Sequence, residues 1–438
     1  MGRRPISQKC RYGLFVSIVT TSFAAAGFSV PSFAENLENS FIQAIKDGKV
    51  NLFIRPRYEF VDTELPRKNA NALTVRTQLG AKSGRFYGWG ARLQLLNVSA
   101  TGDYNSTQNG KTQFALVADP TGTEVEEAYL DFGDLEGVSL LDKTLVKGGR
   151  QYILYRPDPL HRFIGNVLWR QNWQTFDSVT VRNKTLPNTL AHFAYVWNVN
   201  TIVQTNRGIN GYFVNLKYQG LPFLLAAYAY LLDFDLATAA IPSTQSYGAR
   251  IKGKHPMKPT TDILYALEGT YQADFANNPF NIDTGYFMSE IGAQQKLETV
   301  VDSVTVKFDY ELLGGNGGNN RFTTPLATGH AFQGTADQFI VTPGDGVQDF
   351  YPSIGFTFYG FKFAAVYHKL VSVNDSYDYG DEIDLVLSRK FGKYFMGRLK
   401  FADYNASKNA TNVARNPIQS NDITKFWAEI IFQWGDKY

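Results

Sequence analysis

The chain has 438 residues, 44% of them hydrophobic, 15% aromatic and 19% charged, with one cysteine and a formal net charge of +3. It is too aromatic and too sparsely charged to be disordered, too long to need disulfide staples and, with one cysteine, unable to form them. The basic balance does not indicate a nucleic-acid partner: the first 34 residues hold Arg3, Arg4, Lys9 and Arg11 and no acid, and the remainder has 39 Lys and Arg against 40 Asp and Glu.

Residues 1–34 read as a secretory signal peptide, with a basic start, an uncharged stretch over 12–30 and the small-x-small signal Ser32-Phe33-Ala34. The rival reading, a transmembrane helix, is disfavoured by Thr20, Thr21 and Ser22, which interrupt the apolar run. Cys10 precedes the apolar stretch, so a chain starting at Glu35 has no cysteine, as suits an oxidising compartment. Residues 35–49 form a periplasmic N-terminal segment. Within it, 36–47 reads either as a short amphipathic helix with Leu37, Phe41, Ile42 and Ile45 on one side, set in or under a barrel mouth, or as an extended lead into the first strand. Beyond residue 34 no uncharged apolar run approaches 18 residues, so the remaining way to cross a bilayer is a closed barrel of strands.

From residue 50 to 438 the dominant signal is alternation with period two. Leu73, Val75, Leu79 and Ala81 oppose Thr74, Arg76, Gln78 and Lys82; Trp89, Ala91, Leu93 and Leu95 oppose Arg92 and Gln94. Val304, Val306, Phe308 and Tyr310 oppose Thr305, Lys307, Asp309 and Glu311, and Ile383, Leu385 and Leu387 oppose Glu382, Asp384 and Ser388. Segments of about 9 to 12 residues, apolar on one face and charged on the other, suit a tilted strand crossing a bilayer. About eighteen of them begin near 50, 72, 88, 124, 144, 173, 189, 211, 222, 246, 262, 285, 300, 349, 360, 379, 395 and 423. With the N-terminus periplasmic, connections after even-numbered strands are short, and 100–123, 155–172, 199–210, 312–348 and 406–422 are long, the outer-membrane barrel pattern. The expected fold is an all-β, antiparallel transmembrane barrel of about 18 strands in the outer membrane of a Gram-negative bacterium. The last strand alternates through Phe426, Ala428, Ile430, Phe432 and Trp434, with terminal Tyr438 in phase, and is the expected contact for the insertion machinery.

Particular blocks carry a resemblance. They are Asp47-Gly48-Lys49-Val50 leading into Arg55 and Arg57-Tyr58-Glu59, then Gly149-Arg150-Gln151. Arg162-Phe163-Ile164-Gly165-Asn166, Trp169-Arg170-Gln171 and Thr175-Phe176-Asp177 come next. The run from Thr324 through Gly329-His330-Ala331-Phe332, with Ala336-Asp337 and Thr342-Pro343, is followed by Tyr379-Gly380-Asp381-Glu382 and Thr424-Lys425-Phe426-Trp427. In this order the chain resembles the alginate-export family of outer-membrane porins. The resemblance implies an 18-stranded barrel. The family's named member exports an anionic uronate polymer, while the substrate of most relatives is unassigned.

A barrel this wide encloses water, so selectivity rests on lumen-facing charge and inward-folded connections. Alternation points Arg55, Arg57, Arg76, Lys82, Arg92, Lys147, Arg182, Lys217, Arg250, Lys252, Lys307, Lys362, Arg398 and Lys400 inward. Glu59, Glu127, Asp131, Glu268, Glu290, Asp309, Glu311, Glu382 and Asp384 share that side, about fourteen cations against nine acids. Cross-strand pairing that sets register is the competing reading for each, and the face of Arg150 is left open. Connection 312–348 opens with Gly314-Gly315-Asn316-Gly317-Gly318 and carries Phe332, Phe339 and Ile340, which suit a solvated loop poorly. It is expected to fold inward and narrow the lumen, with Thr324, His330, Phe332 and Asp337 as constriction candidates; an extracellular cap is the alternative.

No motif supports catalysis, a cofactor or a metal: His161, His192, His255, His330 and His368 lie in no ligand spacing. The partners expected are outer-membrane lipid and small anionic or saccharide solutes, with no nucleic acid. The leading functional reading is a porin with anion preference. The alternatives are a dedicated exporter of an anionic polysaccharide such as alginate, and a structural or adhesive barrel.

Overall fold

The computed structural model describes residues 30–133, 142–155 and 162–435. Residues 1–29 of the expected leader, His161 and Tyr438 lie outside the described residues. After helix α1 (Val30–Lys46) come eighteen strands. They are β1 (Lys49–Thr63), β2 (Ala70–Lys82), β3 (Trp89–Asp103), β4 (Gly122–Gly133), β5 (Thr144–Gln151), β6 (Thr175–Asn183), β7 (Thr189–Asn200), β8 (Asn206–Tyr218) and β9 (Phe223–Phe234). The second half has β10 (Thr244–Lys258), β11 (Thr261–Asp274), β12 (Asp283–Lys296), β13 (Val301–Leu313), β14 (Val347–Phe358), β15 (Phe361–Val371), β16 (Asp378–Phe391), β17 (Phe395–Ala406) and β18 (Ile423–Trp434). A short helix, α2 (Ala410–Arg415), lies between the last two.

Each strand pairs antiparallel with its neighbours in the chain, and β18 closes on β1 from Leu52↔Trp434 to Thr63↔Ile423. Closure leaves no edge strand, so the ladders satisfy the backbone around the whole circumference. The alternation is inverted relative to a soluble protein: Arg57 is 0% exposed on the inner face, whereas Leu130 is 57% exposed on the outer one. The outer face carries aromatic rings at both ends. Trp89 with Phe132, Phe358 with Phe361 and Phe395 with Phe432 lie at the turn end; Tyr195 with Tyr212, and Phe287 and Phe350 around Tyr310, lie at the loop end. An apolar band between aromatic girdles is a lipid-facing surface.

The connections divide as expected. Turns after even-numbered strands are as tight as the two residues Tyr359 and Gly360, both at positive φ as a two-residue hairpin requires. On the other side 104–121, 152–174, 314–346 and 407–422 are long. Two expectations need correction. Connection 199–210 shrinks to 201–205 because β8 begins at Asn206, and strands reach 15 residues rather than 12 because several run past the apolar band. Of the two readings of 36–47, the helix is the one observed. Ala44 accepts a hydrogen bond from the Gly84 N–H and Phe41 meets Phe86 edge-on, so α1 lies against the β2–β3 turn at the turn end.

The inner face is not left to water throughout. Residues 152–155 and 162–174 and connection 314–346 enter the lumen, and the last two touch each other, Gly165 N–H donating to the Leu326 carbonyl at 2.9 Å. Trp169, Phe322, Ala336 and Phe339 pack with inward Tyr379, Tyr404 and Trp427. Ile153, Ile164 and Leu326 pack with Phe176, Phe213 and Tyr230.

If the outer face meets hydrocarbon, Val306→Arg costs about 2–4 kcal/mol of folding free energy in bilayers. Thr305→Arg, on the opposite face, costs about 0.5 kcal/mol or less. Denaturant titration in vesicles measures both, and equal losses would contradict the lipid-facing assignment.

Candidate functional site

The site begins with β1, whose alternation turns Arg55, Arg57 and Glu59 inward on one line. Three inward charges on one strand require partners, and connection 152–174 supplies them. Arg55 donates to the Leu168 and Arg170 carbonyls and to Gln171, while Arg57 donates to the Trp169 carbonyl and to Asp119. Arg170 Nη1 pairs with Glu59 at 3.1 Å. From β2, Arg76 takes Glu126 with both carboxylate oxygens at 2.6 Å and donates to the Gln171 carbonyl. Gln171 returns its amide to Thr74 Oγ1 at 2.8 Å and its backbone N–H to Asp119 at 2.7 Å. Burial opposes ionisation of Asp119, but the charges of Arg57 and Arg170 outweigh it and hold its carboxyl below the usual range.

Connection 314–346 docks beside it. Ala336 N–H donates to Glu382 at 2.7 Å and Thr335 N–H to Asp384 at 3.0 Å. Gly334 makes this approach possible: its φ is +86°, and a Cβ there would sit 2.1 Å from the Glu382 carboxylate. His330 stacks on Trp169 at 4.3 Å between ring centres with planes 4° apart. Its Nδ1 lies 2.7 Å from Asp337, and Lys400 donates to its Nε2 at 2.6 Å. Asp337 also pairs with Lys425 at 2.9 Å and Arg170 at 3.3 Å. Burial pulls the His330 imidazole down to about 3 even though Asp337 favours its charge. The neutral ring therefore keeps its proton on Nδ1 and accepts from Lys400. Burial works against ionised Asp337 as well, yet the hydrogen bond from His330 Nδ1–H and the charges of Lys425 and Arg170 hold its carboxyl well below the usual range. Phe332 lies under the Arg162 guanidinium at 4.5 Å, and Arg162 pairs with Glu311 at 2.9 Å. Thr324 only caps a turn, its carbonyl accepting from Ala327 N–H.

The residues expected to line the pore therefore separate into groups. Arg55, Arg57, Arg76, Lys400, Glu59, Glu382 and Asp384 are buried beneath the inserted connections and do not meet open water, because their charges recruit the carbonyls and counter-ions of those segments. Arg250 pairs with Glu268 at 2.6 Å, Lys307 with Glu290, and Arg398 with Glu429. Lys362 is exposed, and Lys252 is half-buried. Arg150 lies on the face opposite Lys147 and Gln151 and pairs with Asp177 at 2.8 Å.

The remaining candidates converge. Lys82, Arg92, Lys147, Arg182 and Lys217 line a concavity of about 480 Å³ inside the wall from β2 to β8, where Glu127 is the one carboxylate among the described residues. Arg92 pairs with it at 2.5 Å. Tyr155, Asn215 and Lys217 also border a small recess under Phe163, with Arg162, Arg250 and the stacked rings of Tyr228 and Tyr230.

The count of fourteen cations against nine acids is also corrected. Asp349, Glu429 and the cation Lys425 face inward, as does Glu126, the extra residue of a bulge between the Gln94↔Glu127 and Leu95↔Val125 pairs. Asp119 enters from 104–121, a connection with no periodic pattern to announce it. Asp349 and Glu429 were in phase on strands already recognised, so alternation could have found them.

No protein-family model and no curated protein matches the sequence. Among solved structures the chain is similar to OccAB4 of Acinetobacter baumannii, with TM-score 0.66 and 14% identity over 89% of this chain and 98% of that one. It is similar to OpdK of Pseudomonas aeruginosa, crystallised with vanillate, with TM-score 0.65 and 14% identity over 90% and 100%. OccD3 (OpdP) of the same organism gives 0.65 and 12% over 89% and 92%. At these identities the likeness establishes the shared barrel fold. The comparisons lend no support to the alginate-export family suggested by the sequence blocks.

Two outcomes test the inserted connections. Asp119→Ala removes one of the two carboxylates, Asp119 and Glu59, that Arg57 and Arg170 share, a loss of about 3–5 kcal/mol for a buried pair. Single-channel conductance should rise and trypsin should cut after Arg162 or Arg170; an unchanged trace and digest would count against the network. Acid should loosen the same segments. A histidine held below its usual 6.5 takes up its proton first when the segment is released, so its contribution is complete above pH 6.5 and is lost as pH falls toward about 3. Conductance recorded from pH 7 to 4 should rise in the wild type and less steeply in His330→Asn.

Proposed function

We propose that the chain is an outer-membrane channel through which small anionic solutes, carboxylates above all, diffuse. The observation that carries this reading is the concavity of Lys82, Arg92, Lys147, Arg182 and Lys217 around a single carboxylate. Five cations on one wetted wall, with low-dielectric protein behind them, raise the local concentration of anions, and guanidinium forks match carboxylates bidentately. The inserted connections narrow the lumen beside that wall, so a solute passes the cationic side. OpdK, a neighbour by fold, is an outer membrane protein crystallised with vanillate, itself a carboxylate, which is in keeping with this class of solute and with a Gram-negative outer membrane.

Export of an anionic polysaccharide is the second reading. It rests on the same cationic wall and on the sequence blocks, which cluster at the inserted connections and the strand they dock on.

Planar-bilayer recording under a KCl gradient tests the first reading. The reversal potential should have the sign of anion preference and move toward zero in Lys147→Gln/Arg182→Gln/Lys217→Gln. A cation-selective wild type, or a triple variant with unchanged selectivity, would refute it. Block of the current by polyuronate but not by neutral dextran, at sizes too large to permeate as monomers, would instead favour the polymer exporter.

A further inference from the structure

The outer face of the barrel bears a groove with a charge at one end. Gly397, Ala428 and Pro56 place no bulk over the ladders of β17, β18 and β1, and Leu399, Ile430 and Tyr58 stand beside them, leaving an apolar concavity of about 420 Å³. Its lining runs from Phe361 on β15 to Leu73 on β2. That is five strand spacings, about 24 Å, against about 15 Å for half of a bilayer's hydrocarbon, so a tilted acyl chain matches it in length.

At the turn end the groove meets Arg389. This residue continues the outward phase of Ile383, Leu385 and Leu387, so its side chain stands on the face that is otherwise apolar. Its guanidinium rests over Phe361 at 4.6 Å and Phe391 at 5.5 Å. Among the described residues no carboxylate pairs with it. Lys393, over Tyr394 at 5.1 Å, adds a second cation in the adjoining turn. An arginine fixed at the border of hydrocarbon without a protein counter-ion is costly unless an anion comes from outside. At that depth the anion at hand is a lipid phosphate, which the guanidinium fork grips with two hydrogen bonds.

We propose that this face is a binding site for one glycerophospholipid, its phosphate on Arg389 and an acyl chain along the Gly397–Ala428 groove. The groove is separable from the lumen because Arg389 stands on the outer face, outside the conducting space.

Native mass spectrometry of the full-length barrel, released from detergent after mixing with phosphatidylglycerol or with a diacylglycerol of the same chains, tests this. The wild type should keep one phosphatidylglycerol at collision energies that strip the diacylglycerol. Arg389→Gln should lower that retention about tenfold, the worth of a charge-assisted hydrogen bond. Arg389→Lys should restore part of it, and Ala428→Phe should abolish it by filling the groove. Each variant must keep the heat-dependent gel shift of a folded barrel, and Arg389→Gln must keep wild-type ion selectivity. Equal retention of both lipids, or retention unaffected by Arg389→Gln, would overturn the proposal. A lipid-free mass of two chains that reverts to one in Ala428→Phe would overturn it in favour of a second copy.

Discussion

Arg57 sits on the inner face of β1 with no exposed surface, tied to Asp119, Glu59 and the Trp169 carbonyl. Each partner comes from a different stretch of chain: one from connection 104–121, one from the same strand, one from connection 152–174. A guanidinium sealed from water must be compensated nearly completely, since removing one partner of a buried pair costs several kcal/mol. The inner face of β1 therefore obliges two connections to fold inward, and the second of them carries Trp169, the platform on which His330 of a third connection stacks. The shape of the conducting space follows from this chain of obligations.

The obligations are unevenly distributed around the barrel. The β1, β2 and β16–β18 sector is covered by inserted backbone, and its charges satisfy carbonyls and opposite charges. The concavity from the turn end of β2 to β8 stays open, and the cations that line it outnumber acids five to one. A lumen whose charges are paired in one sector and presented in another is suited to drawing anions to one side, which net charge alone does not reveal. The outer surface follows the same rule in reverse. It is apolar wherever it meets hydrocarbon, and Arg389 is placed at the aromatic border, where a lipid headgroup can answer it.

How much of this was legible in the sequence differs by element. The strands were, because lipid outside and water or charge inside enforce a strict period of two on every one of them. Even β5, only eight residues long, keeps its inward Leu145, Lys147 and Gln151. The long connections were also visible as breaks in that period. Glu126 was not, since a bulge shifts phase by one residue and leaves no compositional trace. Nor were Asp119, Trp169, Arg170 and Gln171 legible as a site, because irregular backbone has no periodicity from which a direction can be read. His330 and Asp337 could be chosen as members of an inserted segment, but not as partners of Lys400 and Lys425.

Residue order alone carries the class of structure: an antiparallel barrel, about eighteen strands, tight turns at one end and long connections at the other, and for most charged residues the side of the wall they occupy. These are local properties, written in nearest-neighbour alternation and in the spacing of its interruptions. Which inward charges meet water is settled by the folded chain. That depends on counter-ions more than a hundred residues away in the chain, as Arg55 and Gln171 are, and on connections whose paths are set by what the opposite wall offers them.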